Sequence, residues 1–139
     1  MITFELDNLR FERSDPTDRF DLLLGVCADL VLQTDGRTLY SEPDFPVTEL
    51  AVQLMVWSHQ GLENGEDFEF SSMESDETGL VWFRWTGAGF RVGSLYQEFP
   101  AMSVHGPEAV RSATERFVSL LRERAKDELG IDIDPVLPT

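Results

Sequence analysis

The sequence is poor in the residues that carry most enzyme chemistry. Its 139 residues include one cysteine, Cys27, and two histidines, His59 and His105. A lone cysteine excludes an intramolecular disulfide and fits a reducing compartment. Cys27 also falls among apolar residues, where a thiol is inert packing rather than a nucleophile. Neither histidine has a partner at the spacing of a zinc site, and His59 reaches Glu63 on one helix only if that helix runs through Gly61. The sequence predicts no metal and no cofactor. Ser94, in GSLYQEF, sits in strand-like alternation rather than in the strand-turn-helix setting of a nucleophile elbow. Gly87 and Gly89 lack the third glycine, the lysine and the following helix of a phosphate loop. The expectation is therefore a protein that is not an enzyme. No run approaches the roughly 20 apolar residues of a membrane span, and MITFELDNLRFERSD carries charge where a secretory signal needs an apolar core. A cytoplasmic protein without membrane contact is expected.

What the chain has in excess is negative charge. Asp and Glu number 26 against 11 Lys and Arg, a formal net charge of −15, well beyond the charge of about 2 to 8 that keeps a small domain soluble. From Thr38 through Phe83 the acidic residues meet no Lys or Arg at all. Such a field repels phosphate backbones and accelerates encounter with basic surfaces, so nucleic acid is an unexpected partner and a basic protein an expected one. The segment from Glu63 to Glu77 lacks the ordered alternation and fixed glycine of a calcium loop and reads as a solvated acidic loop.

With 42% apolar residues, ten Phe, three Trp and two Tyr, the chain can bury one core, and residues 1–139 are read as a single domain. Ile2, Phe4 and Leu6 alternate as a first strand whose phase slips near Asp7 and Asn8. The even positions from Phe20 through Leu32 predict one long strand, bent at Gly25, and Asp35-Gly36 supplies a tight hairpin into Thr38 to Ser41. Pro43 and Pro46 are expected to stop the sheet. Val47, Leu50, Leu54 and Trp57 then recur at helical spacing, predicting a helix over residues 46–60. Its flanks add Val52, Met55 and Val56, so it needs cover on several sides, from the chain itself or from a twofold partner in a homodimer. Phe68 and Phe70, then LVWFRW, then Phe90, Val92, Ser94 and Tyr96 predict a three-stranded meander, and Pro107 to Gly130 a second helix. The fold class is α+β: a mostly antiparallel sheet of about six strands, in the order β-β-β-α-β-β-β-α, with two helices packed on it.

The run YSEPDFPVTELAVQLMVW, followed by a meander ending GFRVGSLYQEF, resembles small bacterial domains, some of which look like immunity proteins of toxin systems. The residues that carry the likeness, Glu42, Pro43, Phe45, Pro46, Glu49, Leu50, Trp57, Gly93, Ser94 and Gln97, read as turn, cap and core chemistry. The resemblance implies an acidic inhibitor that covers the basic active site of a nuclease-like toxin. The charge pattern nominates Glu63, Glu66, Asp67, Glu69, Glu74, Asp76 and Glu77 for that contact. An alternative of another class is a ligand-binding or enzymatic domain with an aromatic pocket lined by Trp57, Trp82, Trp85 and Tyr96. A third is a homodimeric structural protein joined through the helix at 46–60.

Overall fold

In the computed structural model, which describes residues 1–138, the alternating segments become six strands in two antiparallel three-stranded sheets. The first sheet is β1 (Thr3–Phe11), β2 (Val26–Thr34) and β3 (Arg37–Pro46), paired in that order. The phase slip near Asp7 is a bulge between Asp7 and Arg10, with Asn8 left-handed at φ 52°. Asp35 and Gly36, at φ 57° and 72°, make the hairpin between β2 and β3. The second sheet is the meander β4 (Phe68–Ser71), β5 (Thr78–Trp85) and β6 (Phe90–Gly93).

Three α-helices complete the fold: α1 (Arg19–Gly25), α2 (Val47–Gln60) and α3 (Pro107–Arg124). Helix α2 touches β2 of one sheet and β4 of the other, with α1 and α3 also against it, so one core runs through both sheets. That placement covers most of its all-round apolar surface. Val52 and Met55 pack on the core, and Val56 remains 37% exposed. Trp57 lies at the centre, stacked on Phe83 at 5.4 Å between ring centroids, with Phe68 and Phe90 against its other sides. Its indole N–H donates to the Glu66 carbonyl at 3.0 Å, so the buried ring leaves no polar atom unmet.

Three expectations are corrected. The long strand from Phe20 is a helix as far as Gly25, because the Asp18 carboxylate caps it by accepting from the Asp21 N–H at 3.0 Å. Consecutive leucines at 22 to 24 satisfy helical spacing as well as alternation, and Phe20, expected inside, is 61% exposed. Pro43 and Pro46 do not stop the sheet. β3 ends its sheet and continues through both, since a strand with an unpaired side tolerates the missing N–H. The strand expected to reach Tyr96 ends at Gly93, leaving Tyr96 outside the meander and 55% exposed.

Candidate functional site

A cleft of about 500 Å³ opens where the end of β1, β3 and the β4–β5 connection meet. Its floor is apolar: Phe45 of β3, Phe70 of β4, Leu80 of β5, and Leu24 and Cys27 from the α1–β2 junction. Its walls carry five carboxylates, Glu12, Glu42, Asp44, Glu74 and Glu77, and one cation, Arg13. Strand pairing assembles the set. β3 presents Glu42 and Asp44 two residues apart, and the irregular register between Ala28 and Leu30 sets Asp44 at φ 61° against Asp29, which accepts from the Asp44 N–H at 3.2 Å. The β4–β5 connection is held by Glu49 of α2. Its buried carboxylate accepts from the Ser72 hydroxyl and the Met73 N–H, both at 2.7 Å.

The five carboxylates are not equivalent. Arg10 lies between Glu12 and Asp44, at 2.8 and 2.9 Å, and stands 3.5 Å from Asp29. Glu12 first, and then Asp44, hold its guanidinium even more firmly protonated than usual. Glu74 pairs with Arg13 at 2.8 Å. Glu42 and Glu77 meet no Lys or Arg among the described residues. Glu77 accepts a hydrogen bond from the Tyr96 hydroxyl. Close to Glu42 lies Tyr40, 1% exposed, whose hydroxyl has that carboxylate within reach but makes no well-formed hydrogen bond among the described residues. Tyr40 precedes Glu42 by two residues in a regularly paired stretch of β3, so both side chains leave the strand on one face, and its ring meets Phe45 edge-on at 6.5 Å. Burial raises the Tyr40 hydroxyl pKa, and Glu42 and Glu77 raise it further. Hydrogen bonding to Glu77 raises that of Tyr96, with a smaller contribution from Glu42. Both tyrosines thus lie in the field of both unpaired carboxylates.

Glu12, Cys27 and Asp44 bring one ligand atom each within 4.8 Å of one another. Arg10 supplies positive charge to the two carboxylates, and burial, helped by Glu12 and Asp44, pushes the Cys27 thiol up to about 12.

Of the acidic residues nominated from the sequence, the structure brings Glu74 and Glu77 into the cleft. The others lie along β4, at its far end, or in the hairpin loop. Glu63 pairs with Arg111 at 3.0 Å, the Asp67 carboxylate accepts from the Trp85 N–H at 2.8 Å, and Glu66 lies against Gly61. Glu69 lies over Gly79, and neither Glu69 nor Asp76 makes a side-chain hydrogen bond among the described residues. The four residues of the aromatic pocket do not converge. Trp57 is core, and Trp82 lies flat over Gly93 on the other face of β5 with Arg84 stacked on it at 4.1 Å. Trp85 packs on Phe90 beside Gly65, while Tyr96 joins Glu77 at the cleft. His59 lies at the exposed end of α2, and His105 is buried against the Thr34 hydroxyl at 3.2 Å.

A family model matches residues 2–127, most of the chain and every element of both sheets. The chain belongs to the family DUF7878, a domain of unknown function. Neither a curated protein nor a solved structure matches the chain. None of its helices is long and apolar enough to cross a membrane, among the described residues. Membership in DUF7878 assigns no chemistry, so the cleft stands on its own geometry. Sequence reasoning missed Tyr40, Glu12 and Asp44 as members of this site, and it took Glu42 for turn chemistry. The available signal was the alternation of Tyr40, Glu42 and Asp44 along a strand opposite an acidic loop.

Proposed function

We propose that the chain is an acidic protein-binding module, an immunity-type inhibitor that docks on a basic protein such as a nuclease-like toxin and covers its active site. The observation that carries this reading is the cleft itself: its five carboxylates face one lining cation, on a chain of net charge −15. Such a surface steers a basic partner and opposes phosphate polymers, so tight binding of duplex DNA at physiological salt is not expected. The mechanism needs no bond chemistry in this chain. The acidic rim accelerates encounter, and the apolar floor of Phe45, Phe70 and Leu80 supplies area from which water is displaced on docking.

Affinity capture from the native host with the intact chain, followed by stopped-flow mixing with the captured protein, tests the reading. The expected partner is basic, loses its activity in the complex, and associates more slowly as salt rises, because steering between exposed charges is screened over about 8 Å at physiological ionic strength. A partner that is not basic, or whose association ignores salt, would overturn it.

A further inference from the structure

Deepening that reading, we propose that the corner of the cleft lined by Glu42 and Glu77, with Tyr40 buried behind it and Tyr96 bonded to Glu77 beside it, is a recess for one arginine side chain of the protein partner. Charge matching makes the first case. Arg10 and Arg13 are engaged with Glu12, Asp44 and Glu74, whereas Glu42 and Glu77 have no cation of their own. Two adjoining carboxylates beside a low-dielectric floor of Phe70 and Leu80 form the part of the cleft where a guest cation gains most.

The second case is the hydroxyl behind the two carboxylates. Fully buried on the Glu42 face of β3, the Tyr40 hydroxyl has the Glu42 carboxylate within reach but makes no well-formed hydrogen bond in the empty protein, which costs free energy. A guanidinium passing between Glu42 and Glu77 would give that oxygen an N–H donor, and its remaining donors would serve the two carboxylates. Arginine fits better than lysine for three reasons. Its donors form a planar fork that serves two acceptors at once, its plane stacks on an exposed aromatic ring such as that of Tyr96, and it is more weakly hydrated than an ammonium on entering an apolar recess.

The test is an NMR titration of the full chain with the tripeptide acetyl-Gly-Arg-Gly-amide, and with its lysine counterpart. The expected result is saturable shifts confined to the amides of Tyr40, Glu42, Glu77, Leu80 and Tyr96, with the lysine peptide weaker. Affinity should fall by about tenfold in the double variant Glu42→Gln, Glu77→Gln, the loss expected when charge-assisted hydrogen bonds become neutral ones. Tyr40→Phe should bind several-fold less tightly while keeping its circular dichroism spectrum, since it removes only a hydroxyl that lacks a well-formed hydrogen bond. Shifts that never saturate, or that centre on Glu63 to Asp67, would overturn the recess, as would wild-type affinity in the double variant. The two readings fail separately. A salt-steered basic partner that binds the double variant as it binds wild type removes the recess and leaves the inhibitor. Saturable arginine binding in a chain that captures no basic protein removes the inhibitor and leaves the recess.

Discussion

The aromatic layer around Trp57 and the acidic cleft share strands β4 and β5, yet they solve opposite problems. In the layer, Trp57 meets Phe68, Phe83 and Phe90 at 5.3 to 5.4 Å, and its one polar atom is bonded. In the cleft, two carboxylates lack a cation, and behind them a buried hydroxyl lacks a well-formed hydrogen bond. Satisfied groups contribute to stability, and unsatisfied ones are held in place by the rest of the fold and gain only when something binds. Substitution in the layer should therefore cost stability, and substitution in the cleft should cost affinity.

The sharpest way to break this contrast is Trp57→Ala. It removes the ring that Phe68, Phe83 and Phe90 pack upon, and should destabilise the domain by about 3 to 5 kcal/mol in urea unfolding. A loss below about 1 kcal/mol would mean that the layer does not carry the fold. Glu49→Ala probes the seam between the two regions. It leaves the Met73 N–H and the Ser72 hydroxyl without their acceptor, which should cost about 1 to 3 kcal/mol. It should also release the β4–β5 connection, seen as faster amide exchange at Met73. Lost stability with unchanged exchange there would show that Glu49 does not position the cleft wall.

His105 gives the contrast a pH axis. Burial, with a smaller push from the N-terminal amino group, lowers its pKa below the ordinary 6.5. The unfolded chain therefore takes up the proton first as pH falls. Its contribution to stability is complete above 6.5, declines as pH drops from there through the folded value, and is constant below it. Replacing His105 with Gln should flatten that part of the stability profile, and an unchanged slope would assign it to other groups.

How much of this was legible depended on whether the deciding interaction was local. Asp35-Gly36 specifies its hairpin through two adjacent left-handed residues, and α2 and α3 follow from apolar spacing bounded by Pro and Gly. Helix α1 was hidden because leucines at 22 to 24 suit either period, and one capping bond at Asp18 decides between them. β3 was cut short by its prolines because its place at the end of a sheet is a property of topology. The cleft was half legible for a similar reason. Glu74 and Glu77 belong to an acidic run that any count finds. Glu12, Tyr40, Glu42 and Asp44 join them only through sheet pairing, and Arg10 neutralises part of the set across a bulge.

The smallest effect on stability, and the finest division within the acidic surface, is expected from Glu66, Glu69 and Asp76. These make no ion pair among the described residues, unlike Glu63 with Arg111 or Glu74 with Arg13. Exposed charges without partners contribute little to folding, so the triple variant Glu66→Gln, Glu69→Gln, Asp76→Asn should unfold at the wild-type urea concentration. Their effect belongs to the encounter. A charge at the rim acts on an approaching basic protein before any contact forms, so removing it should slow association and flatten its salt dependence while leaving dissociation unchanged. The Glu42 and Glu77 variants should do the reverse, because a cation seated in the recess is released faster once its acceptors are neutral. Stopped-flow association and dissociation rates on both variants, measured across a salt series with the captured partner, separate the two roles. If the rim variant accelerated dissociation as much as the recess variant, the acidic surface would be one continuous interface.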